Sequence, residues 1–188
     1  NAGSSINILK TNCTQCSTGQ YQQNQNNQTG CKFCPAGKEF LSTTAECTIC
    51  SAGKYQNSST TASATCDWCP LGQFITDKAN NSTEHISCKI CGKAGYEYVN
   101  KTQECIVCGG GRYQDETTLD DLQCKQCPAN TFIMDDAEDE DHHNSFGDCI
   151  SCQPGTFSGE GSRYCQYCPA GKFRVELGCE KCSLGHYT

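Results

Sequence analysis

Every cysteine of this 188-residue chain belongs to a Cys-x-x-Cys pair, and there are ten such pairs. Successive pairs begin 18, 16, 19, 22, 17, 19, 25, 16 and 14 residues apart, so one small repeat recurs along the chain. Such recurrence predicts a linear array of similar repeats, not a domain around a single core. We expect an N-terminal segment, residues 1–12, followed by tandem repeats over residues 13–188 with the last repeat truncated. The repeats begin at residues 13, 31, 47, 66, 88, 105, 124, 149, 165 and 179.

Apolar side chains are too scarce to hold this chain together. Leu, Ile, Val and Phe together number 26 of 188 residues, and the net charge is −7. A chain of that composition cannot offset the entropy of ordering its backbone by burial alone. The twenty cysteines make an ordered fold possible nonetheless, because disulfides can replace the missing core. A disulfide that closes a loop of about 15 residues contributes roughly 3 kcal/mol to stability. Disulfides persist in oxidising compartments, so the composition predicts a secreted or cell-surface protein.

The repeat has the consensus Cys-x-x-Cys-(Pro/Ser)-x-Gly-x-(Tyr/Phe), followed by a polar loop. Glycine in the seventh place, with Asn130 in one repeat and Ala94-Gly95 in another, predicts a turn with a positive φ. The aromatic residue begins a short strand and is expected to pack on its own disulfide. No segment has helical periodicity. The predicted fold is therefore a set of small disulfide-rich repeats: an elongated rod of about ten short β-hairpin and loop units with almost no helix.

Two disulfide arrangements fit the spacing. In a crossed arrangement neighbouring pairs interlock, Cys13 with Cys31 and Cys16 with Cys34, which predicts alternating loop types. In a ladder, the second cysteine of each pair joins the first cysteine of the next, which suits a uniform repeat and leaves Cys13 and Cys182 without partners. The ladder bonds are Cys16–Cys31, Cys34–Cys47, Cys50–Cys66, Cys69–Cys88, Cys91–Cys105, Cys108–Cys124, Cys127–Cys149, Cys152–Cys165 and Cys168–Cys179.

Six Asn-x-Ser/Thr sequons support an extracellular location, since each lies beside or between cysteine pairs where a loop can present it. Of two adjacent acceptors, only one is expected to carry a glycan. The predicted N-glycosylation sites are Asn12, Asn27, Asn57, Asn80, Asn81 and Asn100.

Few features of the sequence indicate catalysis or metal binding. No Ser/His/Asp arrangement is identifiable, so we expect no enzyme activity and no cofactor. The spacing of the pairs also fits zinc ribbons, but an acidic chain with three arginines is a poor nucleic-acid binder, so zinc is a minor alternative. The longest loop between pairs is acidic and makes calcium binding a weak possibility. Its candidate ligands are Asp135, Asp136, Asp139 and Asp141.

Segments such as Cys31-Lys-Phe-Cys-Pro-Ala-Gly-Lys-Glu-Phe40 and Cys165-Gln-Tyr-Cys-Pro-Ala-Gly-Lys-Phe173 resemble the ephrin-receptor-like and growth-factor-receptor-like cysteine-rich repeats. The chain is also similar to the first half-module of tumour necrosis factor receptor repeats, a resemblance that implies the ladder. Among whole proteins it most resembles protist surface proteins, particularly ciliate immobilization antigens. The resemblance implies a glycosylated surface coat or extracellular structural protein, anchored to a membrane outside these repeats.

Two functions follow as expectations. The first is structural: a glycosylated rod in a cell-surface coat or an extracellular filament or appendage, with copies of itself or other coat components as partners. The second is a receptor or adhesin ectodomain that binds a protein ligand. An exposed apolar patch at one or two repeats would favour the second function. Trp68, the only tryptophan, is the candidate hot spot, and packing between repeats is its alternative role. Nucleic acid and a membrane span within this segment are not expected.

Overall fold

A computed structural model describes residues 2–6, 12–23, 30–117, 122–175 and 178–184. The chain divides into two compact bodies. The first comprises Asn1–Ile90 with Asn100–Glu104, and the second comprises Cys91–Val99 with Cys105–Thr188. Gly185 and Tyr187, the turn and aromatic positions of the last repeat, lie outside the described residues, as does the sequon at Asn27.

The described residues form nine two-stranded antiparallel hairpins, so the predicted repeat of short β-hairpins is confirmed. Within the described residues, helix is limited to three short 3₁₀ helices, Ser82–His85, Glu140–His142 and Phe146–Asp148. In a typical hairpin the strand after the turn pairs with the strand between the next two cysteines, as Lys54 does opposite Trp68. The paired strands are Ser4–Ile6 with Cys13–Gln15, Lys38–Glu39 with Thr48–Ile49, Lys54–Tyr55 with Asp67–Trp68, Gln73–Phe74 with Lys89–Ile90, Tyr96–Glu97 with Ile106–Val107, Arg112–Tyr113 with Lys125–Gln126, Thr131–Phe132 with Ile150–Ser151, Thr156–Phe157 with Gln166–Tyr167, and Lys172–Val175 with Gly178–Lys181.

The disulfides follow the ladder and not the crossed arrangement. The second cysteine of each pair is bonded to the first cysteine of the next pair, with Cα–Cα distances from 5.6 to 5.9 Å. Eighteen cysteines are therefore disulfide-bonded and cannot act as thiolate ligands for zinc. Among the described cysteines, Cys13 and Cys182 have no disulfide partner. The nine bonds are Cys16–Cys31, Cys34–Cys47, Cys50–Cys66, Cys69–Cys88, Cys91–Cys105, Cys108–Cys124, Cys127–Cys149, Cys152–Cys165 and Cys168–Cys179.

The turn positions have the conformation that the sequence predicts. Asn130 has φ 65°, and Gly95, which follows the alanine in the exceptional repeat, has φ 84°. Behind these turns lie the second cysteines of the pairs. In five pairs they have no exposed surface: Cys34, Cys50, Cys69, Cys108 and Cys127.

Aromatic side chains pack on the disulfides in two clusters. In the first, Tyr21 and Phe40 surround the Cys34–Cys47 bond. In the second, Tyr98 and Leu122 pack beside Cys91. Tyr96, the residue that the repeat consensus assigns to this position, is only half-buried. The expectation that each consensus ring packs on its own disulfide is therefore met by Phe40, whereas Tyr21 packs on the disulfide of the next repeat and Tyr98 takes the place of Tyr96.

The repeats are grouped in threes. The disulfide loops span 13, 16 and 19 residues in the first group, which begins at Cys31, and 14, 16 and 22 residues in the second, which begins at Cys88. We call these groups the first triplet (residues 31–87) and the second triplet (residues 88–148). Matching backbone hydrogen bonds join their repeats. Examples are Gly37 N–H to Gln56 C=O at 2.7 Å and Gly95 N–H to Gln114 C=O at 2.8 Å.

Contacts also reach two repeats along the chain. A Cβ atom on Gly95 would lie 2.6 Å from the carbonyl oxygen of Glu140, which belongs to the loop two repeats later. The equivalent atom on Gly37 would overlap the carbonyl oxygen of Ser82. Glycine is therefore required at both turns for two reasons: the positive φ, and the close approach of a distant loop. Each triplet is held by its third loop as well as by its disulfides.

Candidate interaction surface

The third loop of each triplet is organised around a buried histidine. In the first triplet, His85 has no exposed surface, and its Nδ1 lies 2.9 Å from the carbonyl oxygen of Lys54. Its Nε2 lies 2.9 Å from Oδ2 of Asp77, and the same oxygen accepts hydrogen bonds from the amides of Asn80 and Asn81. The loop is thereby attached to a strand of the preceding repeat.

The second triplet repeats this arrangement. His143 is fully buried, with Nδ1 2.7 Å from the carbonyl oxygen of Arg112 and Nε2 3.1 Å from Oδ1 of Asp135. Asp135 also accepts hydrogen bonds from the amides of Glu138 and Asp139. We call Asp77 with His85 the first clasp and Asp135 with His143 the second clasp.

The clasps fix the charge of their carboxylates. The Asn81 amide and then His85 lower the pKa of Asp77, and the Glu138 amide and then His143 lower the pKa of Asp135. Both aspartates are therefore ionised near neutral pH. A backbone carbonyl only accepts, so Nδ1 of each histidine donates to it, and Nε2 of the same ring faces the carboxylate.

A groove opens beside the second clasp. It has a volume of about 650 Å³ and combines an apolar floor with acidic edges. Met134 and Ile150 are 72% and 58% exposed, although both are apolar. The side chain of Phe146, also exposed, packs edge-on against Tyr113 with ring centroids 5.8 Å apart. We call this site the acidic groove; the residues that matter most to it are Ile133, Met134, Ile150, Asp136, Glu138 and Asp148.

The four aspartates proposed as calcium ligands have different places in this loop. Asp135 is the acceptor of the second clasp, and His142 Nδ1 lies 3.4 Å from its other oxygen. Asp136 forms an ion pair with Arg163 at 2.8 Å. Asp139 accepts a hydrogen bond from the amide of Asp141, which in turn accepts one from Asn144. No group of three or more metal-ligating side chains occurs in the part of the chain that the structure describes. Calcium binding stays a prediction.

The sequons and the acidic charge occupy different parts of the chain. Asn12, Asn57, Asn80, Asn81 and Asn100 are all exposed, and their glycosylation stays a prediction. No sequon occurs after residue 102. Residues 1–104 contain 7 acidic and 8 basic residues, whereas residues 105–188 contain 14 acidic and 6 basic residues. The negative charge of the protein therefore lies almost entirely in the part without sequons, which also holds the acidic groove.

Trp68 lies in the first body and is 57% exposed. Its ring lies beneath the ammonium group of Lys54, which is 4.9 Å from the ring centroid. Packing between repeats therefore covers less than half of this side chain. Trp68 is not among the residues that line the acidic groove.

Sequence reasoning singled out the acidic run but missed the groove and both clasps. A signal for the clasps was present: Ile75, Asp77, Ala79 and His85 have the same spacing as Ile133, Asp135, Ala137 and His143. The two alanines have φ 63° and 66°, so the two loops also share an uncommon backbone turn. The charge asymmetry was equally readable from the sequence.

No protein-family model matches the chain. Over 120 residues, 63% of the chain, it is 31% identical to the Sushi, von Willebrand factor type A, EGF and pentraxin domain-containing protein 1 of Mus musculus. Over 124 residues, 65% of the chain, it is 28% identical to the Signal peptide, CUB and EGF-like domain-containing protein 2 of Homo sapiens. The chain spans only 2% and 11% of the lengths of these two relatives.

These similarities and the nine disulfides place the chain in the extracellular compartment. The chain is a cysteine-rich extracellular sequence. Within the described ranges, no helix is long and apolar enough to cross a bilayer.

Proposed function

We propose that this chain is a non-enzymatic recognition module of an extracellular protein, in which a disulfide-stapled scaffold presents the acidic groove to a protein ligand. The groove carries the proposal, because the exposed apolar side chains of Met134 and Ile150 line one concave site together with acidic residues. Exposed apolar patches of this kind mark interaction sites. The second clasp supports the proposal further, since it holds the loop that forms one side of the groove.

The groove does not have the features of a catalytic centre. Its histidine, His142, is exposed and lies near Asp135, whose oxygens already accept hydrogen bonds from the loop backbone and from His143. Cysteine and serine nucleophiles are not among the residues that line it. Binding without chemical conversion is the function that these groups support.

A structural role is the second candidate, and the matching contacts of the two triplets favour it. Contacts that recur from triplet to triplet suit an array that is lengthened by adding repeats. In this role the chain would be a glycosylated building block of a cell-surface coat, extracellular filament or appendage, with copies of itself or other coat components as partners. The resemblance of the repeat motif to ephrin-receptor-like repeats and to protist surface antigens, ciliate immobilization antigens in particular, supports this structural candidate.

Peptide display on the intact, secreted protein tests the recognition proposal. A random library is selected on the wild-type protein, and each binder is then measured on Ile150→Ser. Recognition through the acidic groove predicts binders that lose at least about tenfold in affinity on this variant, as expected when an apolar anchor is removed. Binders that recognise wild-type and variant equally would contradict it. Concentration-dependent association in sedimentation velocity would then favour the structural candidate.

A further inference from the structure

The surface around the acidic groove restricts the chemistry of a ligand. Asp136 and Glu138 line it and are exposed, and Asp148, close to Ile150 in the sequence, lines it too. The surrounding sequence adds to the negative electrostatic potential of the groove, because residues 105–188 carry eight more acidic than basic residues. A concave site with one sign of charge attracts ligands of the opposite sign and raises their rate of association.

One cation of this chain already shows how the edge binds positive charge, because Arg163 pairs with Asp136 at 2.8 Å. Both side chains of this pair are exposed, so the pair is weak and exchanges readily with an incoming cation. A second copy of this chain is a poor match for the groove, because the chain as a whole carries a net charge of −7.

No sequon occurs in the sequence that forms the acidic groove. All six sequons precede residue 103, and Asn80 and Asn81 occupy the loop of the first triplet that corresponds to the acidic loop of the second. The same clasp therefore supports glycan acceptors in one triplet and carboxylates in the other. A glycan is bulky, and a large ligand can approach only where none is attached.

We propose, on the basis of the proposed function, that the acidic groove binds a basic segment of a partner protein. The segment places an aliphatic or aromatic side chain on Met134 and Ile150, and flanking Lys or Arg side chains next to Asp136 and Glu138. The apolar anchor supplies affinity, and the charges set orientation and salt dependence.

Two matched peptide libraries test this proposal on the secreted protein. Both contain one fixed Leu or Phe anchor; in one library the flanking positions are Lys or Arg, and in the other they are Asp or Glu. The control for Ile150→Ser is Ile106→Ser, because Ile106 holds the same position after the first cysteine of its pair and is 56% exposed, against 58% for Ile150.

The basic library should yield binders that lose at least about tenfold in affinity on Ile150→Ser and on the double variant Asp136→Asn, Glu138→Gln, but keep it on Ile106→Ser. Their affinity should also fall as salt rises. Groove-dependent binders from the acidic library, or equally from both, would overturn the basic-segment proposal and leave recognition by the groove intact. No groove-dependent binder from either library, when the random library also yields none, would overturn both.

Discussion

Nε2 of His143 lies 3.1 Å from Oδ1 of Asp135, and the same relationship recurs between His85 and Asp77 at 2.9 Å. In each case a fully buried ring joins a loop carboxylate to a backbone carbonyl of the preceding repeat. A chain with so little apolar material uses this polar contact where a larger domain would use a hydrophobic core. Both ring nitrogens of each histidine have a hydrogen-bond partner, and a buried polar group stabilises a fold only when its hydrogen bonds are satisfied.

Replacement of His143 by alanine should release the acidic loop. The change leaves a cavity and removes two hydrogen bonds, so we expect a loss of about 2–4 kcal/mol in local stability. Hydrogen exchange at the Gln114 amide measures it, because that amide donates to the carbonyl of His143. His142→Ala is the matched control, since the neighbouring ring is exposed and should change exchange little. Equal effects of the two variants would contradict the clasp.

The clasps also predict how stability responds to acid. Asp77 and Asp135 have lowered pKa values in the folded protein, so each stabilises the fold at any pH above the ordinary range of an aspartic acid. That contribution is lost as the pH falls through the lowered folded-state pKa. The double variant Asp77→Asn, Asp135→Asn should therefore be less stable at neutral pH and should lose less on acidification. Thermal unfolding at several pH values measures the difference.

Asp67→Asn is the control for this experiment, because Asp67 is an exposed strand residue. Its acid dependence should match that of the wild type. A double clasp variant with the same acid dependence as Asp67→Asn would show that the two aspartates do not gain stability from their ionised form.

Two glycine substitutions separate backbone strain from contact between repeats. Gly155 and Gly95 have nearly equal φ values, 82° and 84°, but a Cβ meets nothing within 4 Å at Gly155 and lies 2.6 Å from the Glu140 carbonyl oxygen at Gly95. Gly155→Ala should cost about 1–2 kcal/mol, the cost of the left-handed conformation alone. Gly95→Ala should cost clearly more, measured by thermal unfolding and by the yield of oxidative refolding. Equal losses of stability for the two variants would mean that the loop around Glu140 moves away from the added methyl group at no energetic cost.

Calcium at the acidic loop is tested by limited proteolysis with and without a chelator. Asp135 already accepts hydrogen bonds from two backbone amides and from His143, so a cation would have to displace them. We therefore expect the cleavage rate of residues 135–143 to be the same in both conditions. Slower cleavage with calcium would show that the loop exchanges its internal hydrogen bonds for metal ligands.

Much of the local fold could be predicted from the cysteine and glycine spacing. A turn with positive φ at Asn130 follows from the chemistry of asparagine, and short hairpins follow from the absence of longer periodic segments. The grouping of repeats in threes depends on the lengths of the disulfide loops. It is missed when all loops between cysteine pairs are treated as equivalent. The contact between Gly95 and Glu140 is set by tertiary packing over two repeats, which no local pattern encodes.

The candidate site was harder to predict than the fold. The acidic run at residues 135–141 was visible, but its interpretation as a calcium site did not anticipate that His143 is buried, although its loop is highly polar. The groove depends on Met134, which lies inside the Cys127–Cys149 loop, and on Ile150, which directly follows Cys149. Only the closed loop brings them together.

The central claim is that sequential disulfides join each repeat to the next and thereby position the loops. Peptide mapping of the unreduced protein, with free thiols blocked before digestion, tests it most directly. The account predicts linked peptides that join second to first cysteines, such as Cys34 to Cys47 and Cys127 to Cys149. Linked peptides that join Cys13 to Cys31 and Cys16 to Cys34, as in the crossed arrangement, or fully reduced cysteines, would contradict it.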